Sequence, residues 1–311
     1  MSLDIAKPAK VTVLLSTYNG SKFLEQQLNS LYQQTYHDIS ILVRDDGSTD
    51  STRNILVSEH SRGRIEILEG HNNLGPAFSF FELMKSAAST GTEYVAFCDQ
   101  DDVWHTDKIA HAVSALTGIA DSGPAMYCSR SEIVDEHLEH IGYTEMPGEI
   151  GFGNALVENA ATGCTIMLNR KAIKLVVEHL PDKVLMHDWW CYLVLTCFGE
   201  IIFSASPDIK YRQHGSNTVG IASNKFYRFG RKLRRFFGCS EGRQWMSEQA
   251  ISLLNHFGDS IPSSRRHVLN KFIGAKSSLH CRLQLALSGD IWRKNWFDDF
   301  ALRILILINR F

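Results

Sequence analysis

The sequence predicts an α/β fold with a mostly parallel central sheet flanked by helices, followed by a mainly helical C-terminal region. Short apolar runs rich in β-branched residues alternate with segments whose apolar residues recur at helical spacing, which is typical of such sheets. Polar clusters follow several of the apolar runs, and ligands bind at the carboxyl ends of parallel strands. The chain has 311 residues, 44% hydrophobic and 21% charged. This ordinary globular composition can bury a core without disulfide or metal support.

Four strands and three helices are predicted in the N-terminal third. The strands are predicted at Val11–Ser16, Ile39–Val43, Arg64–Leu68 and Tyr94–Cys98. Helical spacing of apolar residues predicts the intervening helices over 23–32, around Ile55 and Leu56, and over 77–88. Because no G-x-G-x-x-G motif follows the first strand, the sheet lacks the fingerprint of a dinucleotide-binding fold.

The pattern is looser in the rest of the chain. Residues 161–168 form an apolar run that predicts another strand, and a helix is expected to begin near Asp188. The polar segment Tyr211–Asn217 is expected to be a loop, with mainly helices after it. We expect two regions, 1–222 with the sheet and 223–311 with the helices.

Charge divides the chain at the same place. Residues 223–311 contain 16 Lys and Arg against 6 Asp and Glu, whereas residues 1–222 contain 16 basic and 28 acidic residues. Such a basic region indicates an anionic partner, and membrane lipid and nucleic acid are the usual classes. No recognised nucleic-acid-binding module accompanies it, so nucleic acid is not expected as a partner.

Two segments of the basic region bear on that partner. Lys225–Phe237 interleaves basic and aromatic residues, and Ile304–Ile308 is apolar. One interpretation is a solvated basic helix packed on the rest of the protein. The other is a helix lying on an anionic membrane surface, with the apolar segment as a second contact.

Location follows from what the sequence lacks. The N-terminus has no apolar signal core, and no apolar stretch reaches the ~18 residues needed to span a bilayer. The seven cysteines are widely spaced without a CxxC pair, which predicts reduced thiols. We therefore expect a cytoplasmic protein, peripheral on the inner face of the cell membrane.

An acidic cluster, Asp99–Asp102, follows the fourth predicted strand. Carboxylates at this density repel one another unless a cation lies between them. Mg²⁺ and Mn²⁺ prefer oxygen ligands of this kind and commonly bridge to phosphate oxygens. A solvated turn that caps the next helix is the alternative interpretation of the spacing alone.

Polar clusters also end two neighbouring strands. Asp45–Ser48 offers a carboxylate that can accept hydrogen bonds from a nucleobase or ribose, and a helix cap with a tight turn is its alternative. Thr17–Asn19 offers an aromatic ring for stacking, or simply a loop with one packed aromatic. Together the three strand ends supply a stacking ring, a base-reading carboxylate and a metal-binding pair, a combination more specific than any member.

Seven motifs follow one another along the chain: Ser16–Gly20, Asp45–Asp50, Asn73–Gly75, Phe97–Trp104, Gly163–Thr165, His187–Trp190 and Tyr211–Asn217. In this order they resemble those of family 2 glycosyltransferases of the GT-A fold, over roughly residues 9–218. With the last three motifs included, the set resembles the bacterial rhamnosyltransferase branch that builds surface polysaccharides.

The resemblance implies a nucleotide site at the strand ends. Thr17 and Tyr18 would hold the nucleotide, with Tyr18 near the base. Asp45 would bind a pyrimidine ring, with Asp46 close by, and Asp99 would lie near the ribose.

It also implies a metal site and a general base. Asp99 and Asp101 match the DxD pair that binds a divalent metal, and His214 matches a third metal or diphosphate contact. Asp188 matches the later acidic motif that supplies the base, although His187 stands where Glu is commoner. Trp189 and Trp190 are expected either to pack in the core or to form a stacking wall for the acceptor sugar.

The activity implied is metal-dependent, inverting transfer from a nucleotide sugar to a growing, lipid-linked glycan in O-antigen or capsule synthesis. The donor expected is dTDP-L-rhamnose, which would give an α-L-rhamnosyl linkage, with UDP-galactose or UDP-glucose as alternatives. A catalytically silent nucleotide-sugar-binding protein and a nucleotidyltransferase are the other classes. A nucleotidyltransferase should carry a glycine-rich triphosphate loop, and Gly20 is the only glycine between residues 11 and 30.

Overall fold

A computed structural model of the protein describes residues 9–70, 72–119, 123–215 and 241–311, with the backbone alone at 241–244. Nine strands form one sheet. They are β1 (Val11–Thr17), β2 (Ile39–Asp45), β3 (Glu66–Ile67), β4 (Tyr94–Cys98), β5 (Val103–Trp104), β6 (Ala125–Val134), β7 (His140–Tyr143), β8 (Met167–Asn169) and β9 (Glu200–Arg212).

Helices cover both faces of the sheet and form the C-terminal region. Seven in the sheet region are α1 (Leu24–Tyr32), α2 (Thr52–Ser61), α3 (Gly75–Ser89), α4 (Lys108–Thr117), α5 (Phe152–Ala155), α6 (Arg170–Val177) and α7 (His187–Phe198). Those after residue 240 are α8 (Glu241–Phe257), α9 (Ser263–Gly274), α10 (Leu279–Leu287) and α11 (Trp296–Leu307). The helical C-terminal region expected from sequence is confirmed over 241–311.

The first four predicted strands form a parallel unit in the order β3-β2-β1-β4. In this register Thr17 pairs with Asp45, and Leu15 pairs with Cys98. The residues that follow β1, β2 and β4 therefore meet at one edge, as the sequence predicted.

The second half of the sheet mixes strand directions. β8 is antiparallel to β4 and to β6, whereas β9 is parallel to β6 and antiparallel to β5. The predicted strand over 161–168 is wrong over most of its length, because Gly163–Thr165 forms a 3₁₀ turn before the short β8. The predicted loop over Tyr211–Asn217 is wrong for its first two residues, which complete β9. Sheet pairing overrides local polarity there.

The sheet divides the core into two clusters because successive strand residues point to opposite faces. In β1, Leu14 packs in one cluster, while Val13 and Leu15 pack in the other. Leu253 and Phe272 of the C-terminal helices belong to the same cluster as Leu14, so these helices share a core with the sheet.

A close backbone contact joins the C-terminal region to the sheet region. A Cβ atom at Gly153 would lie 1.9 Å from the Asp290 carbonyl oxygen, so this approach requires glycine. Nearby, Arg293 Nε donates to the Val157 carbonyl at 3.1 Å. The boundary predicted at 222/223 and the segment Lys225–Phe237 lie outside the described residues. Within the described ranges, no helix is long and apolar enough to cross a bilayer.

One buried ion pair fixes the end of β2. Arg44 donates to Asp46, and the two side chains are 3% and 4% exposed. Asp46 also accepts from the backbone N–H groups of Leu74 and Gly75, each at 2.8 Å. The pair therefore ties β2 to the start of α3.

We expect Arg44→Met to lower the free energy of unfolding by about 3 kcal/mol, because it leaves Asp46 buried without its counter-charge. Urea unfolding followed by circular dichroism measures the change. Lys85→Met is the matched control, since the exposed Lys85–Glu82 pair should contribute less than about 1 kcal/mol. Equal effects of the two substitutions would refute this account of Arg44.

Candidate active site

The end of β2 presents Asp45 in a fixed orientation. Its Oδ1 accepts from Thr17 Oγ1 at 3.0 Å and from Ser48 Oγ at 2.5 Å, and its Oδ2 accepts from Ser48 N at 3.1 Å. Gly47 has φ +87°, a conformation that glycine adopts without strain. The carboxylate is thus oriented before any ligand arrives, with Thr17 beside it.

Tyr18 follows β1 and is 50% exposed. Its backbone N donates to Gln100 Oε1 at 2.8 Å, and Gln100 Nε2 donates back to the Tyr18 carbonyl at 3.0 Å. A Cβ at Gly20 would lie 2.1 Å from Gln100 Oε1, so any other residue there would displace the Gln100 side chain from these contacts. Gln100 joins the first loop to the acidic loop. Gln100 lies within the acidic motif of the sequence, but the motif alone did not predict this role for it.

Asp46 differs from Asp45 in its surroundings. Its side chain is 4% exposed and is engaged by Arg44 and by two backbone N–H groups. These contacts give Asp46 a structural role. Its burial does not support a direct contact with the nucleotide, which stays a prediction.

Three carboxylates lie in the loop after β4. Asp102 is fully buried, and its Oδ1 accepts from the backbone N of Arg212 at 3.0 Å. Its Oδ2 has no hydrogen-bond partner. Burial, together with repulsion from Asp101 and Asp188, raises the pKa of Asp99 to about 7. Burial and its acidic neighbours also raise the pKa of Asp102 well above its usual range.

His214 joins the acidic loop from the far end of the sheet region. Its Nε2 lies 2.8 Å from Asp101 Oδ2, and its ring centroid lies 4.8 Å from that of Phe23. Arg212 Nε donates to the Asp101 carbonyl at 2.7 Å, which holds the end of β9 against this loop. The structure thus brings together two predicted metal ligands separated by 113 positions in the sequence.

These residues fit a hard divalent cation. Ligand atoms of Asp99, Asp102 and Cys164 lie within 4.8 Å of one another, whereas the predicted ligands Asp101 and His214 contact each other and are not part of that cluster. Burial raises the pKa of the Cys164 thiol well above its usual range, and a protonated thiol is a poor ligand. Carboxylate oxygens with one imidazole suit Mg²⁺ or Mn²⁺. Sequence reasoning quoted Asp102 and Cys164 in motifs but did not place them in the site.

Asp188 lies in the first turn of α7, next to the 3₁₀ turn. Its Oδ2 accepts from Gly163 N at 3.0 Å, and its Oδ1 accepts from Trp189 N at 2.6 Å. Burial raises the pKa of Asp188 to about 6 despite these hydrogen bonds. Its charge raises the pKa of Asp99, so the carboxylates of α7 and of the acidic loop act on one another.

The neighbours of Asp188 are mainly structural. His187 stacks on Phe80 at 4.0 Å between ring centroids, and burial lowers its pKa to about 3, so its ring is neutral. Trp190 is 0% exposed, so of the two alternatives for this side chain, core packing and a wall for the acceptor sugar, the structure shows core packing. Trp189 is partly buried, and its Nε1 donates to the Ala155 carbonyl at 2.7 Å.

A cavity of about 260 Å³ lies beside Asp45. Its wall combines polar groups of the loop after β2 with apolar side chains of α2 and β3. The lining residues are Asp45, Gly47, Ser48, Arg53, Leu56, Val57, Ile67, Leu68, Glu69 and Gly70. Its place at the sheet edge suits the planar ring of a nucleobase.

The family model for glycosyl transferase family 2 matches residues 12–174, which include the ends of β1, β2 and β4. This match covers more than half of the chain. The chain belongs to this family, whose members usually require a divalent metal.

Curated relatives extend the likeness to most of the chain. The dTDP-rhamnosyl transferase RfbG of Shigella flexneri is 28% identical over 96% of this chain and 100% of its own. The Escherichia coli glucosyltransferase WfgD, which is named for UDP-Glc and α-D-GlcNAc-diphosphoundecaprenol, is 30% identical over 70% of this chain and 81% of its own. The chain is thus related to rhamnosyl and glucosyl transferases of bacterial polysaccharide synthesis.

Solved structures support the fold. Residues 1–349 of S. aureus TarS, determined with UDP-GlcNAc, superpose with a TM-score of 0.56 at 16% identity, covering 89% of this chain and 84% of that one. The GT-A fold expected from sequence is confirmed, with a mixed sheet and a helical C-terminal region.

We expect Asp99→Asn to stabilise the metal-free protein by on the order of 1–2 kcal/mol at pH 8. The pKa of Asp99 is raised in the folded state, so ionisation opposes folding. The opposition is complete above about pH 7 and fades as pH falls toward the unfolded value of 3.8. Urea unfolding in EDTA at pH 8 and pH 4.5 measures the difference.

The exposed Asp182→Asn serves as the control and should show no such pH dependence. Adding Mn²⁺ at pH 8 should stabilise the wild type and leave Asp99→Asn nearly unchanged. If Asp99→Asn gains the same free energy of unfolding at both pH values, the ionisation of Asp99 is not the cause of the gain.

Proposed function

We propose that the protein is an inverting, metal-dependent glycosyltransferase that moves L-rhamnose from dTDP-L-rhamnose to a growing, lipid-linked glycan. The observation that carries the proposal is the convergence of three groups at one sheet edge. These groups are the oriented Asp45 beside a cavity, the Asp101–His214 pair in an acidic loop, and the buried Asp188.

The nucleotide is assigned to the edge between β1 and β2. Asp45 Oδ2 accepts one hydrogen bond from Ser48 N and retains a lone pair for a pyrimidine N–H. Thr17 holds the carboxylate in place, and Tyr18 offers an exposed ring near the base. The apolar wall formed by Leu56 and Leu68 suits the methyl group of thymine. The likeness to RfbG over nearly the whole chain supports the dTDP donor.

The diphosphate is assigned to the acidic loop. Asp99, Asp101 and His214 would hold Mg²⁺ or Mn²⁺ there; His214 contacts Asp101, and Asp99 lies close to Asp102 in the same loop. When bound, the metal would supply positive charge that stabilises the departing nucleoside diphosphate. Gln100 and Arg212 keep the loop in place through their contacts with Tyr18 and Asp101.

Asp188 is assigned as the general base. The acceptor hydroxyl forms a bond to the anomeric carbon as the bond from that carbon to the diphosphate oxygen breaks. The hydroxyl proton passes to the Asp188 carboxylate, and the anomeric centre inverts. A raised pKa of about 6, caused by burial, makes this carboxylate a stronger base that is still ionised at neutral pH.

The acceptor is assigned to the side of Asp188, where Trp189 remains the candidate for contact with a sugar. The basic C-terminal region, with 16 Lys and Arg against 6 Asp and Glu, would hold the enzyme on the anionic inner face of the cell membrane. A lipid-linked acceptor would be met at that surface. The 30% identity to WfgD favours one alternative, a UDP-hexose donor in the same site.

We expect Asp188→Asn to reduce sugar transfer by about 10³-fold, because the variant has no carboxylate at this position to take the proton from the hydroxyl group of the acceptor sugar. Nucleoside diphosphate release from dTDP-rhamnose, measured with membranes that carry lipid-linked glycans, gives the rate. The exposed Glu178→Gln is the control and should keep full activity. Full transfer by Asp188→Asn would show that Asp188 is not the general base. If the wild type binds nucleotide fully but transfers no sugar, the protein is a catalytically silent binding protein.

We expect kcat/KM of the wild type to fall tenfold per pH unit below about pH 6. The sign follows from the raised pKa of Asp188, since protonation in this range removes the base while most carboxylates stay ionised. A pH–rate profile from 5 to 8 tests this. The pH–rate profile of the residual activity of Asp188→Asn should lack the fall in kcat/KM near pH 6. If both proteins show this fall at the same pH, it is caused by the titration of another group.

We expect dTDP to bind about tenfold more tightly than dUDP in the presence of Mn²⁺, because the two differ only in the methyl group that an apolar wall can contact. Calorimetry with dTDP, dUDP, UDP, GDP and ADP measures the preference. Asp45→Asn should weaken the binding of pyrimidine nucleotides. Asp38→Asn, at the opposite end of β2, is the control and should leave this binding unchanged. A preference for UDP would keep the family and move the donor to the UDP-hexoses.

A further inference from the structure

The most exposed side chains of the C-terminal helix α11 are all apolar. Trp296, Phe297, Phe300 and Ile304 are its exposed residues, between 43% and 79% accessible, and Ile308 just beyond the helix is 55% accessible. Positions 296, 300, 304 and 308 recur every four residues, so they form one stripe along the helix. We call these five side chains the apolar face.

A second apolar stripe lies on the neighbouring helix. Leu279, Leu283 and Leu287 of α10 are 57%, 43% and 84% exposed at the same spacing. Arg303 Nη1 of α11 donates to the carbonyl of Ser288 at 3.0 Å, at the end of α10. The two helices are therefore fixed together, and both stripes remain uncovered by the residues that the structure describes.

The charged residues of α11 do not cover the apolar face. Asp299 Oδ2 accepts from Arg303 Nε at 2.8 Å, and Asp299 Oδ1 accepts from the backbone N of Arg293 at 3.0 Å. These charges are used within the C-terminal region. A solvent-facing stripe is normally polar, and a large exposed apolar patch marks an interaction surface.

We propose that the apolar face of α11 inserts into the interfacial layer of an anionic lipid bilayer. The inference deepens the proposed function, on which it rests for the position of the acceptor at a membrane. Aromatic side chains such as Trp296 and Phe300 favour the boundary between headgroups and acyl chains. The excess of basic residues in 223–311 matches an anionic surface, and the same excess would oppose pairing with a second copy of this region.

Vesicle co-sedimentation of the whole protein, without substrate, tests the inference. Vesicles of 70% phosphatidylcholine and 30% phosphatidylglycerol are compared with pure phosphatidylcholine, at low and high salt. We expect binding to the anionic vesicles, and a loss of about tenfold in the partition coefficient for the combined variant Trp296→Gln, Phe300→Gln and Ile304→Gln. Because these side chains are exposed, the thermal stability of the variant should be unchanged.

Two control variants sharpen the experiment. Ile141→Gln with Ile251→Gln removes apolar side chains that are 49% and 41% exposed elsewhere, and it should bind vesicles like the wild type. Trp296→Phe should keep binding but lose most of the blue shift of tryptophan emission on adding vesicles, because none of the other five tryptophans is exposed. Trp104 and Trp190 are buried, and Trp189, Trp245 and Trp292 are partly buried.

Three results would overturn the inference. One is undiminished binding by the combined variant, which would leave the basic residues as the whole contact. Another is no binding by the wild type. The third is a concentration-dependent dimer, seen by analytical ultracentrifugation, that the combined variant abolishes, which would make a second copy the occupant. Nucleotide binding by calorimetry is unaffected by any of these, so a failure here is distinct from a failure of the proposed function.

Discussion

The burial of several carboxylates close to one another at the carboxyl edge of the sheet is the constraint on which the site depends. The parallel register of β1, β2 and β4 fixes where each acidic loop begins. Asp99, Asp102 and Asp188 all have pKa values raised chiefly by burial, with repulsion between neighbours adding to it for Asp99 and Asp102. Such an edge carries an electrostatic strain that a bound divalent cation would relieve, and this would link the stability of the site to its proposed chemistry.

The fold restrains this strained edge with contacts between distant parts of the chain. Gln100 ties the acidic loop to the loop after β1, and Arg212 ties it to the end of β9. The buried pair of Arg44 and Asp46 likewise joins β2 to α3. These groups hold carboxylates in position before any ligand binds, and preorganisation of this kind is what transition-state stabilisation requires.

The C-terminal helices are part of the same body as the site. Their apolar residues share a core cluster with α7, the helix that begins at His187 and carries Asp188. The contact between Gly153 and Asp290 leaves no space for a larger residue. A surface on α11 that met a membrane would therefore hold the active-site edge at a set height and orientation above it.

The sequence by itself determined the order of strands and helices in the first hundred residues, because apolar periodicity and polar strand ends are local features, and its motifs identified the family. It also placed Asp45, Asp99, Asp101 and Asp188 in motifs. Only the tertiary structure decided which neighbours surround them. Sheet pairing extended β9 through a segment that reads as a loop, burial placed Trp190 in the core, and packing gave Asp46 a buried partner. Local pattern cannot specify contacts between residues a hundred positions apart, because these depend on how the layers pack.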